Sequence, residues 1–287
     1  MKAHLHSEGE NPNHSFALPD SQQKGIGIIG AGHLGRAIAF AHRQAGYPDE
    51  KIFISYAGRR ETLNEIHLAG LAENISSNDD ICQKASLIFI TIRPQSLISL
   101  SNLIFPSSAI VISCMAGIST RMLKELWNIP VYRMMPSGPE TILARESFAG
   151  LYPGSPEVIG HLMGIGLEVI APPQEEQMDD LTAGASLPAA LLVATEHNLD
   201  IDAEIRSSMA YGPIYHRVLS WAWEISPQDL SGTERAAYVT RMSTPGGITE
   251  AVCNSLREGK SMYQAYTDGI NRSREIGEEL SHLIGSA

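Results

Sequence analysis

The sequence contains few cysteines, and their placement excludes the protein classes that depend on them. The 287 residues include three, Cys82, Cys114 and Cys253, which are far apart and form no CxxC pair. We therefore predict neither a disulfide framework nor a zinc site, and a reducing cytoplasm is the compartment that suits the chain. Each cysteine is expected to pack as a small buried apolar residue.

The sequence also has fewer basic residues than acidic ones. Lysine and arginine number 21 against 32 acidic residues, which gives a formal net charge of −11 at pH 7. This balance argues against nucleic acid as a partner and against an anionic membrane surface. No apolar run reaches membrane-spanning length, and the ten histidines include no HExxH or comparable ligand spacing, so no metal is expected.

The first 24 residues lack an apolar core of signal-peptide length and the arginine-rich pattern of a transit peptide. They are polar and include three histidines and two prolines. We predict a disordered tail over residues 1–24, ahead of a folded chain.

Short apolar runs alternate with helical spacing between residues 25 and 172. Strands are predicted at 25–29, 51–55, 87–92, 109–113 and 130–134, with helices at 34–45, 61–68 and 120–127 and one further helix and strand within 154–170. Alternation of this kind is typical of an α/β fold. We predict an N-terminal Rossmann-type, doubly wound sheet in a dinucleotide-binding domain over residues 25–172.

Strand-like runs nearly vanish from residue 173 onward. Residues 182–197 are rich in alanine and leucine, 204–223 form a long helical stretch, and 248–258 and 261–280 carry helical periodicity. We predict an all-helical C-terminal domain over residues 173–287.

A glycine-rich turn follows the first predicted strand and opens the first predicted helix. Its glycines fit the GxGxxG pattern, in which the first permits the tight turn and the second lets the backbone approach a pyrophosphate. The helix N-terminus then offers free N–H groups to the phosphates. The candidate cofactor-binding residues are Gly30, Ala31, Gly32, His33, Leu34 and Gly35.

The end of the second predicted strand favours NADP over NAD. An NAD site places an acid there to bind the ribose 2′-hydroxyl, whereas this strand ends at Ser55 with no acid, and Arg59 and Arg60 follow. An arginine together with Ser55 could hold a 2′-phosphate. The alternative is that both arginines are solvated at a helix start.

A Pro-Gly-Gly turn precedes the helix predicted at 248–258. Pro245, Gly246 and Gly247 would expose successive backbone N–H groups, a natural site for a carboxylate, with the hydroxyls of Thr244 and Thr249 on either side. These hydroxyls could donate to a substrate nitrogen or carboxylate. As a bare motif, the segment could equally be a helix cap.

From about residue 25 to residue 280 the chain resembles the pyrroline-5-carboxylate reductase family. Five segments match the family's motifs in the correct order, and the last is close to the signature Ser-Pro-Gly-Gly-Thr-Thr. The segments are Gly30-Ala31-Gly32, Ile92-Arg93-Pro94-Gln95, Ser113-Cys114-Met115-Ala116-Gly117-Ile118, Arg133-Met134-Met135-Pro136 and Thr244-Pro245-Gly246-Gly247-Ile248-Thr249.

The resemblance implies NAD(P)H-dependent reduction of the cyclic imine 1-pyrroline-5-carboxylate to L-proline. It also implies a homodimer or a ring of dimers, built through the helical domain. Thr249 would hydrogen-bond the imine nitrogen, while Thr244 and the Gly246–Gly247 backbone would hold the carboxylate. The cofactor would be NADPH, with NADH as the alternative. Its nicotinamide would meet a pocket lined by Pro94, Gln95, Met135 and Pro136, and Arg93 of the same loop would also contact the cofactor.

The chain departs from the family's motifs near the implied site. His33 replaces an asparagine after the second glycine, Ser137-Gly138 replaces Asn-Thr, and Leu187 replaces a glycine where a backbone is expected to approach closely. Three alternatives therefore stay open: a reductase of a different small carboxylated cyclic imine, a weakly active relative, and a non-catalytic nucleotide sensor. A hydroxyacid dehydrogenase would need a lysine proton donor, and Lys260 is the single lysine beyond residue 124.

Overall fold

The protein is described here by a computed structural model. The structure describes residues 25–227 and 229–285, with side chains as far as residue 279. The tail predicted over residues 1–24 lies outside the described residues. All three cysteines are buried and free, as expected.

Seven strands form one sheet, in the order β2-β1-β3-β4-β5-β6-β7. Every neighbouring pair is parallel except β5 and β6, which run antiparallel. The strands are β1 (Gly25–Ile29), β2 (Ile52–Ser55), β3 (Ala85–Ile90), β4 (Ile110–Ser113), β5 (Val131–Pro136), β6 (Phe148–Tyr152) and β7 (Glu168–Ile170). The predicted fold class is confirmed, although β6 was not among the predicted strands.

Helices cover both faces of the sheet, which explains why β1 is buried at all five of its residues. They are α1 (His33–Gln44), α2 (Arg60–Leu68), α3 (Asn78–Lys84), α4 (Thr120–Trp127), α5 (Pro139–Ala144) and α6 (Pro156–Gly164). Two apolar clusters, one on each face, fill the space between these helices and the sheet.

The described residues after β7 form helices and turns only. The helices are α7 (Met178–Gly184), α8 (Leu187–Glu196), α9 (Ile201–Ser207), α10 (Pro213–Ile225), α11 (Gly232–Met242), α12 (Ile248–Arg257) and α13 (Met262–Gly285). They enclose a separate apolar cluster, with α8 near its centre. Because α8 is buried over eight of its ten residues, it shows no amphipathic pattern.

The long helix predicted over 204–223 is wrong, because the chain breaks there. Gly212 has φ +113°, and Pro213 then opens α10 without a backbone N–H. Two helices, α9 and α10, therefore replace one. The glycine–proline pair was visible in the sequence, but the apolar periodicity on either side of it masked the break.

A buried ion pair connects the sheet to the helical half. Arg133 of β5 donates to Glu175, whose carboxylate also accepts from the backbone N–H and the hydroxyl of Thr120. The Arg133 and Glu175 side chains are 8% and 17% exposed. Removing one partner of such a pair leaves a buried charge uncompensated, so the contact fixes the entry of the chain into α7.

Candidate active site

The glycine turn after β1 has the geometry of a dinucleotide cradle. Gly30 adopts φ +108°, a conformation that L side chains rarely adopt, and its N–H donates to the carbonyl of Ser55 at the end of β2. A Cβ on Gly35 would lie 2.2 Å from the Gly30 carbonyl oxygen, so α1 can approach the turn only because residue 35 is glycine. Thr91, directly after β3, donates its hydroxyl to that same carbonyl at 2.7 Å.

The N-terminus of α1 is open toward this turn. Gly32 is its N-cap and supplies no side-chain hydrogen bond, and the first turn of the helix contains no acidic residue. The N–H groups of the first turn and the positive end of the helix dipole are therefore directed at an anion placed outside the turn. No heavy atom lies within 4 Å of the position of a Cβ on Gly32, so space for that anion exists.

A cleft of about 500 Å³ extends from this turn along the carboxyl ends of β1, β2 and β3. In open α/β sheets this is the edge at which ligands bind. The cleft brings together seven of the predicted cofactor residues, Gly30, Ala31, Gly32, Ser55, Arg59, Arg93 and Gln95, and adds others that the sequence did not single out, among them Tyr56, Thr62, Asn78, Thr91 and Ser96.

The two arginines after β2 differ in position. Arg59 lines the cleft, whereas Arg60 is the first residue of α2 and is not among the lining residues. The Ser55 hydroxyl donates to Asn78 at 2.5 Å. A 2′-phosphate at this end of the cleft would therefore meet Arg59 first, with Ser55 already held by another side chain.

The Pro-Gly-Gly segment forms a tight turn that opens α12. The Gly247 N–H donates to the Thr244 carbonyl at 2.8 Å, with Pro245 and Gly246 between them, and Gly246 has φ +70°. Proline second and a positive-φ glycine third are the requirements of a type II turn. The turn places Thr249 in the first turn of α12, where its side chain lines a pocket.

The backbone N–H groups of this turn are already engaged, contrary to the simple expectation of an open carboxylate site. The Gly246 N–H donates to Oε2 of Glu250 at 2.7 Å, and the Gly247 N–H is used by the turn itself. A substrate carboxylate would have to replace the Glu250 carboxylate on Gly246. The Thr244 and Thr249 hydroxyls remain the turn's side-chain donors toward the pocket.

The pocket beside Thr249 has a volume of about 470 Å³ and lies between the sheet and the helical half. Thr244, Gly247 and Thr249 line it, whereas Pro245 and Gly246 do not. The other lining residues are Ser137, Gly138, Pro139, Glu140, Thr182, Ala185, Ser186, Arg241, Met242, Ile248 and Ile276.

A side-chain contact at α5 connects the pocket with the glycine turn. Nε2 of His33, at the start of α1, lies 3.7 Å from Oε1 of Glu140, which is one of the pocket's lining residues. Arg241, also in the lining, lies over the ring of Tyr238 with Cζ 5.3 Å from the ring centroid. Burial raises the pKa of Tyr238, and Glu140 acts in the same direction. The pocket mouth therefore holds one charge of each sign.

The residues that depart from the family's motifs do not all lie at the pocket. Ser137 is buried beside the pocket, and its hydroxyl is within 2.8 Å of that of Thr141 and 2.9 Å of that of Ser147. Leu187 is fully buried in the helical core and does not itself line the pocket, although the preceding Ser186 does. Lys260 pairs with Asp268 at 2.8 Å, away from the pocket lining, which leaves no lysine for a proton-donor role there.

Several predicted residues stand beside these clefts without lining them. His33, Leu34 and Gly35 belong to the first turn of α1, Pro94 opens a short helical turn between two lining residues, and Met135 and Pro136 precede Ser137 on β5. Glu140, Arg241 and Ser186 were not predicted, although each lies within three residues of a position that the motifs had singled out. Only the packing of α5, α8 and α11 around the turn brings them together.

Comparisons with known proteins agree with this architecture. Residues 25–117 match the family model described as "NADP oxidoreductase coenzyme F420-dependent". Pyrroline-5-carboxylate reductase 3 of Mus musculus is 26% identical over 85% of this chain and 92% of its own length. The structure of a pyrroline-5-carboxylate reductase from Coxiella burnetii covers 90% of this chain and 98% of its own, with TM-score 0.55 and 18% identity. The Plasmodium falciparum pyrroline carboxylate reductase, solved with NADP bound, has the same coverage, with TM-score 0.53 and 18% identity.

The resemblance inferred from the five motifs is therefore confirmed. The protein is an NAD(P)-dependent oxidoreductase similar to the pyrroline-5-carboxylate reductases. Among the described residues, no helix has the length and apolar character to cross a membrane, and no group of three or more potential ligands could hold a metal ion.

Proposed function

We propose that this protein reduces 1-pyrroline-5-carboxylate to L-proline with NADPH. The observation that carries the proposal is that Thr244 and Thr249 line one pocket, and that Glu140 of the same lining lies 3.7 Å from His33 at the start of α1. A hydride acceptor held by those hydroxyls would lie next to the cofactor cleft. The named activity of the relatives, at about a quarter identity, agrees with this assignment.

The residues of the cleft fit a nicotinamide dinucleotide phosphate. The open first turn of α1 and the space outside Gly32 suit the pyrophosphate, and Arg59 suits the 2′-phosphate. Arg93 and Gln95 lie farther along the cleft, toward the loop after β3. When bound, the cofactor supplies the hydride, and the protein contributes placement and polarity.

The pocket residues have two tasks in this reaction. The Thr249 hydroxyl donates a hydrogen bond to the imine nitrogen, which draws electron density from the C=N bond and makes the carbon a better hydride acceptor. As the carbon takes the hydride from the cofactor, the nitrogen takes one proton from solvent water, which gives the secondary amine of L-proline. Thr244 holds the carboxylate, whereas the Gly246 N–H, which is outside the pocket lining and bound to Glu250, takes no part. Both contacts fix the distance and angle of approach, which is the larger part of what a protein adds to hydride transfer.

Replacement of Thr249 tests the assignment directly. Thr249→Ala removes the donor, and we expect kcat/KM for 1-pyrroline-5-carboxylate to fall about 100-fold, the scale of a lost proton-donating group. Thr249→Ser keeps the hydroxyl and should retain most of the activity. NADPH binding, measured by fluorescence titration, should change in neither variant. Equal kinetics of Thr249→Ala and the wild type would refute the role of Thr249.

A second prediction concerns cofactor choice. Arg59→Ala should weaken NADPH binding about 10-fold, a change typical of one lost charge-assisted hydrogen bond, and leave NADH binding nearly unchanged. Arg60→Ala is the matched control, because it removes the same charge one residue away, outside the cleft lining. Equal losses for both cofactors, or a larger effect from Arg60, would contradict recognition of the phosphate by Arg59.

One observation favours a second candidate substrate. Ser137 and Gly138, which replace the family's Asn-Thr, both line the pocket, so its shape differs where the substrate would lie. The alternative is a different small carboxylated cyclic imine. NADPH oxidation with 1-pyrroline-5-carboxylate should be compared with oxidation by its six-membered-ring analogue. Faster turnover of the larger ring would select the alternative, and NADPH binding without turnover of either would indicate a nucleotide sensor or a relative of very low activity.

The setting of the reaction forms part of the same proposal. We infer a cytoplasmic enzyme, since the free cysteines suit a reducing compartment, and a homodimer or ring of dimers formed through the helical half. Neither nucleic acid nor a membrane is expected as a partner at a net charge of −11.

A further inference from the structure

A second pocket lies away from the clefts described above, at the junction between the sheet edge and the helical half. It has a volume of about 300 Å³ and lies beside Ile170 at the end of β7, the start of α10 and the first turns of α13. Four tyrosines line it, Tyr211, Tyr215, Tyr263 and Tyr266. None of its lining residues is shared with the pocket beside Thr249.

The tyrosines form an aromatic wall. The rings of Tyr211 and Tyr263 stack with centroids 4.0 Å apart and planes 17° apart, and Tyr215 meets Tyr263 edge-on at 5.1 Å. Tyr211 is exposed at the rim, while Tyr215 and Tyr266 are buried beneath it. Stacking covers one face of each of the two rings, so the negative π face that attracts a cation is the outer face of the stack.

Two buried polar atoms beside this wall lack hydrogen-bond partners among the described residues. The hydroxyl of Tyr215, a residue only 2% exposed, and Oε1 of Gln177 are both buried, and neither has a hydrogen-bond partner among the described residues. The Tyr266 hydroxyl is already committed, since it donates to the Asp180 carbonyl at 3.0 Å. Buried polar atoms without partners are rare in folded proteins, and two beside one cavity point to a group that the cavity receives.

The charge around the pocket is negative. Asp180 lines it, and burial raises the pKa of this carboxyl, with the nearby Arg274 acting in the opposite direction. Glu204 lies close enough to Tyr215 to raise the pKa of its hydroxyl further, beyond the effect of burial. Lysine, arginine and histidine are absent from the lining among the described residues. An anion is therefore disfavoured, and a purely apolar ligand would leave Gln177 and Tyr215 unsatisfied.

We propose that this pocket binds a small organic cation that carries N–H donors, such as an alkylammonium or guanidinium compound. The cationic head would lie against the outer face of the Tyr211–Tyr263 stack and donate to Gln177 Oε1, to the Tyr215 hydroxyl oxygen and to the Asp180 carboxylate. This site is independent of the proposed reaction, so binding is measurable without any assay of turnover.

Three isosteric probes separate the head-group chemistries. Butylammonium, 1-butanol and butyrate are titrated into the full chain by isothermal calorimetry. Butylammonium should bind at least 10-fold more tightly than 1-butanol, and butyrate should not bind. Equal binding of butylammonium and 1-butanol would mean that the pocket recognises only an apolar chain and would overturn the proposal.

Variants then locate the binding. Asp180→Asn and Tyr263→Leu should each weaken butylammonium binding about 10-fold, while Asp202→Asn, an exposed acid on α9, should have no effect. Loss of binding in all three would mean a nonspecific charge effect, which contradicts a defined site. Absence of butylammonium binding in the wild type, together with a change of oligomeric mass in Tyr263→Leu, would mean that a second copy covers the pocket and would also refute the proposal.

The melting temperature of Tyr215→Phe distinguishes a binding role of the hydroxyl from a structural one. A structural hydroxyl would lower the melting temperature when removed, whereas a binding hydroxyl would not. Because the hydroxyl has no partner among the described residues, its removal should leave the melting temperature unchanged or higher while butylammonium binding weakens. A melting temperature several degrees lower would show that the protein itself satisfies the hydroxyl, and the proposal would fail.

Discussion

Gly32→Ala should weaken NADPH binding about 100-fold while the fold stays intact. Gly32 has an ordinary negative φ of −68°, and no heavy atom lies within 4 Å of the position of the added Cβ. The free protein therefore accepts alanine at this position. The pyrophosphate, however, has to approach the backbone at the second glycine of the turn, where the methyl group would stand. We expect the Kd for NADPH to rise about 100-fold, a loss of roughly 2.7 kcal/mol.

Gly35→Ala provides the contrasting case on the same turn. Its Cβ would lie 2.2 Å from the Gly30 carbonyl oxygen and 2.8 Å from Oγ1 of Thr91, so the strand-to-helix turn itself must shift. Overpacking of this kind typically costs 1–3 kcal/mol, and we expect a fall of about 2 kcal/mol in the free energy of unfolding as well as weaker NADPH binding.

Thermal melting and NADPH titration of the two variants separate the two effects. Gly32→Ala should melt with the wild type and bind poorly, whereas Gly35→Ala should change both quantities. Normal NADPH affinity in Gly32→Ala would show that the pyrophosphate lies elsewhere and would move the cofactor away from this turn.

The sheet was predictable because its signals are local. Buried parallel strands appear as short apolar runs, and the run that ends at Gly30 is followed at once by the glycine spacing that a close helix approach demands. β6 escaped prediction because it is the antiparallel strand, and its residues 148–152 include a glycine whose absent side chain makes room for Leu181. Where a strand's residues are adapted to a neighbouring helix, the sequence of the strand alone gives little indication that it is a strand.

The candidate site was predictable only in part. Thr244 and Thr249 belong to a short motif and were found from it, whereas Glu140, Arg241 and Ser186 come from three different elements. Leu187 is the opposite case. Its place in the sequence motifs suggested a position at the pocket, but its side chain is buried in the apolar core of the helical half. The positions of two residues in the same turn follow from their spacing in the sequence. The distance between residues of different elements depends on tertiary packing, which the sequence pattern does not show.

A buried chain of hydrogen bonds on one face of the sheet sets a further expectation. His42 of α1 is fully buried, and its Nδ1–H donates to the Ile38 carbonyl at 2.8 Å. In neutral rings, His161 Nε2–H then donates to His42 Nε2 at 3.0 Å, and the Tyr47 hydroxyl donates to His161 Nδ1 at 3.2 Å. Each nitrogen has one role in this arrangement, and adding a proton to His42 would place two N–H groups against each other.

Burial lowers the pKa of both histidines, and for His42 the proximity of His161 lowers it further. The folded protein therefore keeps both rings neutral at pH values at which the unfolded chain, with histidine pKa near 6.5, takes up protons. Stability is fully present above about pH 6.5 and falls as the pH drops toward the lowered folded values. Each histidine contributes a slope that approaches 1.4 kcal/mol per pH unit, so the pair should remove about 4 kcal/mol by pH 5, a large share of the 5–15 kcal/mol typical of a domain.

Urea unfolding at pH 7 and pH 5, in the wild type and two variants, tests this expectation. His161→Gln can preserve both hydrogen bonds, since its amide donates to His42 and accepts from Tyr47, but it does not titrate. We expect it to recover about 2 kcal/mol of the loss at pH 5, because one titrating group is gone. His67→Gln, at an exposed position of α2, should leave the pH dependence unchanged. An equal loss of stability in the wild type and in His161→Gln would show that the buried pair is not the source of the acid sensitivity.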